Sequence, residues 1–239
     1  MTNPVFVAVD TIDLAEAKMR ARQLAGVVGG VKLGLEFFVA HGPEGIRAVM
    51  RECSALPLFL DLKLHDIPNT VAGGVRAAAS LKPRYLTIHI SGGPAMLRAA
   101  ADEAARFGAA RPRLLGVTVL TSMAEDDLAA VGFAKRAMSE QVETMARLAK
   151  ANGLDGVICS PHEVAGLRRA LGPDFVLMVP GVRPAGSDAD DQKRVMTPAD
   201  AMKAGATHLV IGRPIYQAAD PVAAAKKIGA ELGSGPLAA

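Results

Sequence analysis

Short apolar runs rich in valine, isoleucine and leucine recur along the chain, separated by alanine-rich stretches with helical spacing. Strands are predicted at Val5–Val9, Gly30–Leu33, Leu58–Lys63, Tyr85–Ile88, Leu114–Leu120, Gly156–Cys159, Val176–Val179 and Leu209–Ile211. Helices are predicted between them, among others at Leu14–Leu24, Val71–Leu81, Met96–Phe107 and Glu140–Asn152. Ser139, with Glu140 and Glu143 close behind it, marks the start of the last of these. Regular β-α alternation implies parallel strands, and eight such units close into a (β/α)8 TIM barrel, here one domain over residues 1–239. An open doubly wound sheet is the alternative. Against it, the first βα turn, Val9-Asp10-Thr11-Ile12, lacks the glycine fingerprint of a dinucleotide fold. No internal linker is evident, and only the tail from about residue 233 (Gly233-Ser234-Gly235-Pro236) reads as loose.

Polar residues cluster at the ends of these strands. Asp10 ends strand one, Lys32 strand two, and Asp61 and Lys63 strand three. Thr121 and Ser122 follow strand five, Arg183 follows strand seven, and Gly212-Arg213 follows strand eight. A barrel brings all of these to its C-terminal rim, where active sites form, so the pattern argues for an enzyme. The densest part is Asp61–Thr70, D-L-K-L-H-D-I-P-N-T, after the apolar Pro57-Leu58-Phe59-Leu60. Residues i and i+2 of a strand share a face, so Asp61 and Lys63 are expected to point the same way. Burying such a pair costs free energy unless charges compensate or chemistry requires it. Pro68 marks where the strand yields to a turn or a helix start.

Two further segments suit an anion. Gly212-Arg213-Pro214 follows strand eight, where barrels commonly bind phosphate and where an arginine can grip oxygens in a bidentate fork. The bland alternative is a tight turn with a solvated arginine. The connection from Pro180 to Thr197 is long for a βα loop, and loops beyond ~12 residues often serve as lids or binding loops. Arg183 and Gln192 within it are placed to reach the same anion as Arg213; a plain surface excursion is the alternative.

Composition narrows the classes. Half of the 239 residues are hydrophobic but only 4% are aromatic, so alanine-rich helices and aliphatic strands must supply the packing. The net charge is +3, and the 27 basic residues are spread out rather than gathered into a nucleic-acid-binding stripe. Cys53 and Cys159 lie far apart in no metal-type spacing and read as reduced core thiols, with a disulfide or reactive thiol as the alternative. Strand-like sequence begins by Pro4 and no apolar run approaches ~18 residues, which predicts a cytoplasmic protein without a signal peptide or membrane span. No His-x-His or H-E-x-x-H spacing suggests a metal, so His65 and His89 are expected to be structural or to support the site from behind. Nucleophile-elbow, Walker and kinase motifs are absent.

The motif Asp61–Thr70 closely resembles the signature of the orotidine 5′-phosphate decarboxylase family. Val7-Ala8-Val9-Asp10, Val31-Lys32-Leu33-Gly34, Val119-Leu120-Thr121-Ser122, Pro180-Gly181-Val182-Arg183-Pro184, Asp191-Gln192 with Arg194, and Val210-Ile211-Gly212-Arg213-Pro214-Ile215 fit the same family in order. The resemblance implies an Asp–Lys–Asp–Lys array in which Lys63 protonates C6 and Asp61 sits beside the substrate carboxylate. Lys32 would bridge the array to the ribose, Asp10 would hold ribose hydroxyls and Thr121 would read the pyrimidine. Asp66 and Thr70 would come from the neighbouring subunit of a homodimer. Arg183, Gln192, Gly212 and Arg213 would grip the phosphate. No metal or cofactor is implied. Related barrels that decarboxylate or condense sugar phosphates with Mg²⁺ share an Asp-x-Lys-x-x-Asp core, but Ile67-Pro68-Asn69-Thr70 and Asp191-Gln192 argue against them. A non-catalytic phosphate-binding barrel would have no need of a lysine between carboxylates.

Overall fold

A computed structural model describes residues 3–184 and 196–232. Eight parallel strands pair in chain order and close into a barrel: β1 (Val5–Ala8), β2 (Gly30–Gly34), β3 (Leu58–Leu64), β4 (Tyr85–His89), β5 (Arg113–Val117), β6 (Gly156–Ile158), β7 (Val176–Pro180) and β8 (His208–Ile211). The register runs from Phe6 opposite Gly30 round to Val7 opposite Ile211. The helices are α1 (Leu14–Leu24), α2 (Leu35–Glu52), α3 (Pro68–Ala79), α4 (Gly93–Ala105), α5 (Glu125–Ala130), α6 (Met138–Ala151), α7 (Val164–Leu171), α8 (Pro198–Lys203), α9 (Arg213–Tyr216) and α10 (Pro221–Leu232). The architecture is the (β/α)8 TIM barrel that the alternation predicts.

Strands covered on both faces read as apolar runs rather than alternating ones, and β1 and β2 are buried at every position. One apolar cluster fills the barrel, built on Phe6, Phe59, Tyr85, Leu115, Val176 and Met178. The other lies between sheet and helices, where Ala17, Ala21, Ala100, Ala146 and Ala149 present small side chains to strand residues such as Leu33, Leu60 and Leu86. Gly30 makes room for the inner cluster, since a Cβ there would stand 2.2 Å from the Phe6 ring.

Some element ends differ from the sequence reading. β5 stops at Val117 rather than Leu120; the next residue, Thr118, donates its hydroxyl to the Ile158 carbonyl at 2.9 Å. α6 begins at Met138, with Ala137 rather than Ser139 at its cap. The missing local cap is supplied from α5, whose Glu125 carboxylate accepts from the Met138 N–H at 2.9 Å. α3 starts at Pro68, three residues before the predicted Val71, since proline suits the first helical turn. Gln192 and the tail from residue 233 lie outside the described residues.

At the floor of the barrel, the His208 ring meets Tyr85 Oη at 2.8 Å and packs edge-on to Phe6. Burial pushes the His208 imidazole down to about 4, helped by Arg113 and Arg84 and opposed by the Pro4 backbone. The unfolded chain therefore takes up a proton near pH ~6.5, whereas the folded chain resists it until near 4. Stability is fully present above that window and falls as pH drops through it. By pH 5 the loss from this group should be about 2 kcal/mol. Urea unfolding at pH 7 and pH 5 should show that much extra acid sensitivity in the wild type relative to His208→Gln. Parallel pH profiles for the two proteins would contradict it.

Candidate active site

The C-terminal end of β3 departs from regular pairing. Leu60 lies opposite Leu86 of β4, yet Leu64 lies opposite Ile88, so β3 carries two extra residues over this stretch. Lys63, within the irregular stretch, adopts φ +51, a left-handed conformation that costs about 1–2 kcal/mol for a residue with a Cβ. Bulges of this kind re-aim side chains next to active sites. Lys63 Nζ then sits 2.7 Å from Asp61 Oδ2. The two side chains share a face as expected, but through the bulge rather than through simple strand alternation.

Thr87, fully buried on β4, ties this corner together. Its hydroxyl donates to Asp61 Oδ1 at 2.9 Å and accepts the Lys63 backbone N–H at 2.9 Å. A second ion pair joins the ends of β1 and β2, with Lys32 Nζ 2.6 Å from Asp10 Oδ1. The Lys32 side chain is buried and that of Asp10 is 59% exposed, so the pair runs from the barrel interior to its mouth. Gly34 leaves room for it, since a Cβ there would lie 3.3 Å from Lys32 Nζ.

These pairs line a cavity of about 260 Å³ at the C-terminal rim. Asp10, Lys32, Asp61, Lys63, Thr121, Arg183, Gly212 and Arg213 all contribute to its wall, over a base that includes Phe59, Val117 and Ile158. Eight of the sequence-predicted residues thus converge. The lining holds four cations (Lys32, Lys63, Arg183, Arg213) against two carboxylates (Asp10, Asp61), a net positive field suited to an anion. Arg183 is 9% exposed, and its backbone N–H donates to the Met196 carbonyl at 3.0 Å, joining the two chain ends that flank residues 185–195. A larger groove of about 890 Å³ opens at the N-terminal ends of β3, β4 and β5, but it has neither carboxylate–lysine pair.

Asp66 and Thr70 stand apart from the cavity. Both are exposed, and Asp66 Oδ1 accepts from the Ile67 N–H at 2.6 Å. The rings of His65 and His89 lie tilted against each other, with centroids 5.3 Å apart. Burial lowers the His89 pKa from its ordinary value, as do His65 and Lys63, while Asp61 opposes them. His89 is thereby biased to the neutral form. Cys159 lines the cavity but is buried, and burial raises its thiol pKa far above the usual range, so it is a poor nucleophile. Among the described residues, no three His, Cys, Asp or Glu side chains gather as metal ligands, and no helix is long and apolar enough to cross a membrane. The sequence reading missed Thr87. A threonine inside the apolar run Tyr85-Leu86-Thr87-Ile88, two positions before His89, was the available signal.

A family model described as "Orotidine 5'-phosphate decarboxylase / HUMPS family" matches residues 3–228. The orotidine 5′-phosphate decarboxylase of Paramagnetospirillum magneticum is 53% identical over 237 residues, covering 98% of this chain and 100% of that protein. The protein of the same name from Moorella thermoacetica is 49% identical, covering 95% of this chain and 91% of its own length. Among solved structures, orotidine 5′-phosphate decarboxylase from Lactobacillus acidophilus matches with a TM-score of 0.84 at 38% identity, covering 97% of this chain and 100% of that one.

Proposed function

The chain belongs to the orotidine 5′-phosphate decarboxylase / HUMPS family and is a carboxy-lyase of pyrimidine synthesis that converts orotidine 5′-phosphate to UMP, and we propose that it does so without metal or cofactor, in a site completed by a second copy of itself. The observation that carries the mechanism is the Asp61–Lys63 pair on the β3 bulge, inside a cavity with a net excess of cations. Both carboxylates of the cavity wall pair with ammonium groups, at 2.7 Å and 2.6 Å.

In the proposed reaction the C6–carboxylate bond breaks, CO₂ leaves and the electron pair stays on C6. No adjacent carbonyl delocalises that charge as a simple enolate, so a fixed cation must stabilise it. The Lys63 ammonium does so and then transfers its proton to C6. Asp61 beside the departing carboxylate adds repulsion of at most ~4 kcal/mol at 4 Å and an effective dielectric of ~20. Enzymes lower barriers by ~8–23 kcal/mol, so stabilisation of the carbanion by Lys63 is the larger effect. Arg183 and Arg213 hold the phosphate, with Gln192 and the backbone at Gly212. Asp10 and Lys32 hold the ribose, and Thr121 reads the base. Remote binding energy on the phosphate is then available for expression at C6.

The second copy enters through Asp66 and Thr70. They lie in the catalytic motif yet are exposed and form no part of the lining of their own cavity. Ile12, Leu35 and Ile67, which follow β1, β2 and β3, are exposed apolar residues at the same end of the barrel, surface that an interface would cover.

The test is the loss of orotidine 5′-phosphate absorbance with the protein exhaustively treated with EDTA. Undiminished turnover is expected. Activity on orotidine 5′-phosphate that is lost on chelation and restored by Mg²⁺ would contradict the metal-free mechanism.

A further inference from the structure

The β3 corner depends on a hydroxyl that does not face the cavity. The irregular register between Leu60 and Leu64 takes the Lys63 N–H out of the regular β3–β4 ladder. Thr87 Oγ1 accepts that N–H at 2.9 Å. A hydroxyl has one hydrogen, and Thr87 gives it to Asp61 Oδ1, also at 2.9 Å. The other carboxylate oxygen, Oδ2, faces Lys63 Nζ at 2.7 Å. The three residues thus close a ring: Lys63 backbone to Thr87, Thr87 to Asp61, Asp61 back to the Lys63 ammonium. Thr87 has no exposed surface, so water cannot replace it without rearrangement.

We propose that Thr87 is the positioning residue for decarboxylation. It holds the Lys63 backbone in its left-handed conformation and fixes which oxygen of Asp61 meets the ammonium. It touches no substrate and acts through the pair. Small misplacements of a reacting group cost large factors in rate, so the effect belongs in kcat. Substrate affinity is set mainly by the phosphate and ribose contacts on other strands, so KM should change little. A methyl in place of the hydroxyl leaves the shape of Thr87 intact but removes both hydrogen bonds. Loss of the methyl alone leaves both bonds in place.

The inference rests on the decarboxylase reading, and one set of measurements separates the two. Wild type, Thr87→Val and Thr87→Ser are assayed with orotidine 5′-phosphate, and the crystal structure of Thr87→Val is determined. Thr87→Val should lose about 10²-fold in kcat, with KM within about 3-fold of wild type. Thr87→Ser should keep kcat within about 3-fold while melting at a lower temperature, since it loses a buried methyl. In the Thr87→Val crystal, Lys63 should leave the left-handed region or the Asp61 carboxylate should rotate. If Thr87→Val does not fold, Thr87→Cys, of similar size and a weak donor, takes its place with the same expected direction. Wild-type kcat in the valine variant, or an equal loss in the serine variant, would overturn the proposal. An inactive wild type would refute the decarboxylase reading instead, and the crystal structure would still decide whether Thr87 holds the corner.

Discussion

Lys63→Ala is expected to reduce kcat at least about 10⁴-fold, because one group supplies both the stabilising charge and the proton. Each of those contributions is commonly worth about 10²–10⁴-fold when removed alone. The fold should survive. The Lys63 side chain is 34% exposed, and alanine keeps the backbone N–H that Thr87 accepts. Alanine pays a similar penalty for the left-handed φ, so the bulge has no new reason to collapse. Removing the ammonium leaves Asp61 Oδ2 to solvent in the opened cavity, and the stability change should stay near 1 kcal/mol. Single-turnover decarboxylation and thermal unfolding check the two halves of this expectation. Retained turnover would remove Lys63 from the mechanism. Global unfolding would show the pair to be structural.

Asp66→Ala is expected to lower kcat/KM by about 10³-fold although Asp66 lines no part of its own chain's cavity. Its side chain is exposed and accepts a hydrogen bond from the Ile67 N–H at 2.6 Å, so its removal should change stability by no more than about 1 kcal/mol. A large rate effect from an exposed side chain outside the cavity is hard to explain within one chain. It follows directly if the carboxylate enters the partner's cavity and flanks the partner's Lys63 from the side opposite Asp61. A change below about 3-fold in kcat/KM would argue that the site is complete within one chain.

The barrel was legible because strands covered on both faces lose the two-residue alternation and stand out as aliphatic runs between alanine-rich helices. Polar residues that interrupted those runs at their C-terminal ends proved to share one cavity, from Asp10 and Lys32 to Arg213. Irregular features were less legible. The β3 bulge has no glycine or proline to announce it, and the left-handed Lys63 donates its backbone N–H in a tertiary hydrogen bond to Thr87 of β4. The α6 cap arrives from Glu125, thirteen residues away, which local capping patterns do not register. Thr87 left only a faint signal, for a related reason. Threonine is an ordinary β-strand residue, and only the three-dimensional pairing shows that its hydroxyl serves Asp61 and Lys63 rather than the sheet.

If the charged array on β3 carries the reaction and is divided between two chains, inactive variants should complement each other. Mixing inactive Lys63→Ala and Asp66→Ala proteins under conditions of demonstrated subunit exchange tests both parts at once. In a two-fold dimer each mixed pair has one site with an intact Lys63 and an intact Asp66, and the other site lacks both. Random exchange of equal amounts should therefore restore about one quarter of wild-type turnover per site. No recovery, with mixed dimers shown to be present, would mean that the site is not divided between two chains.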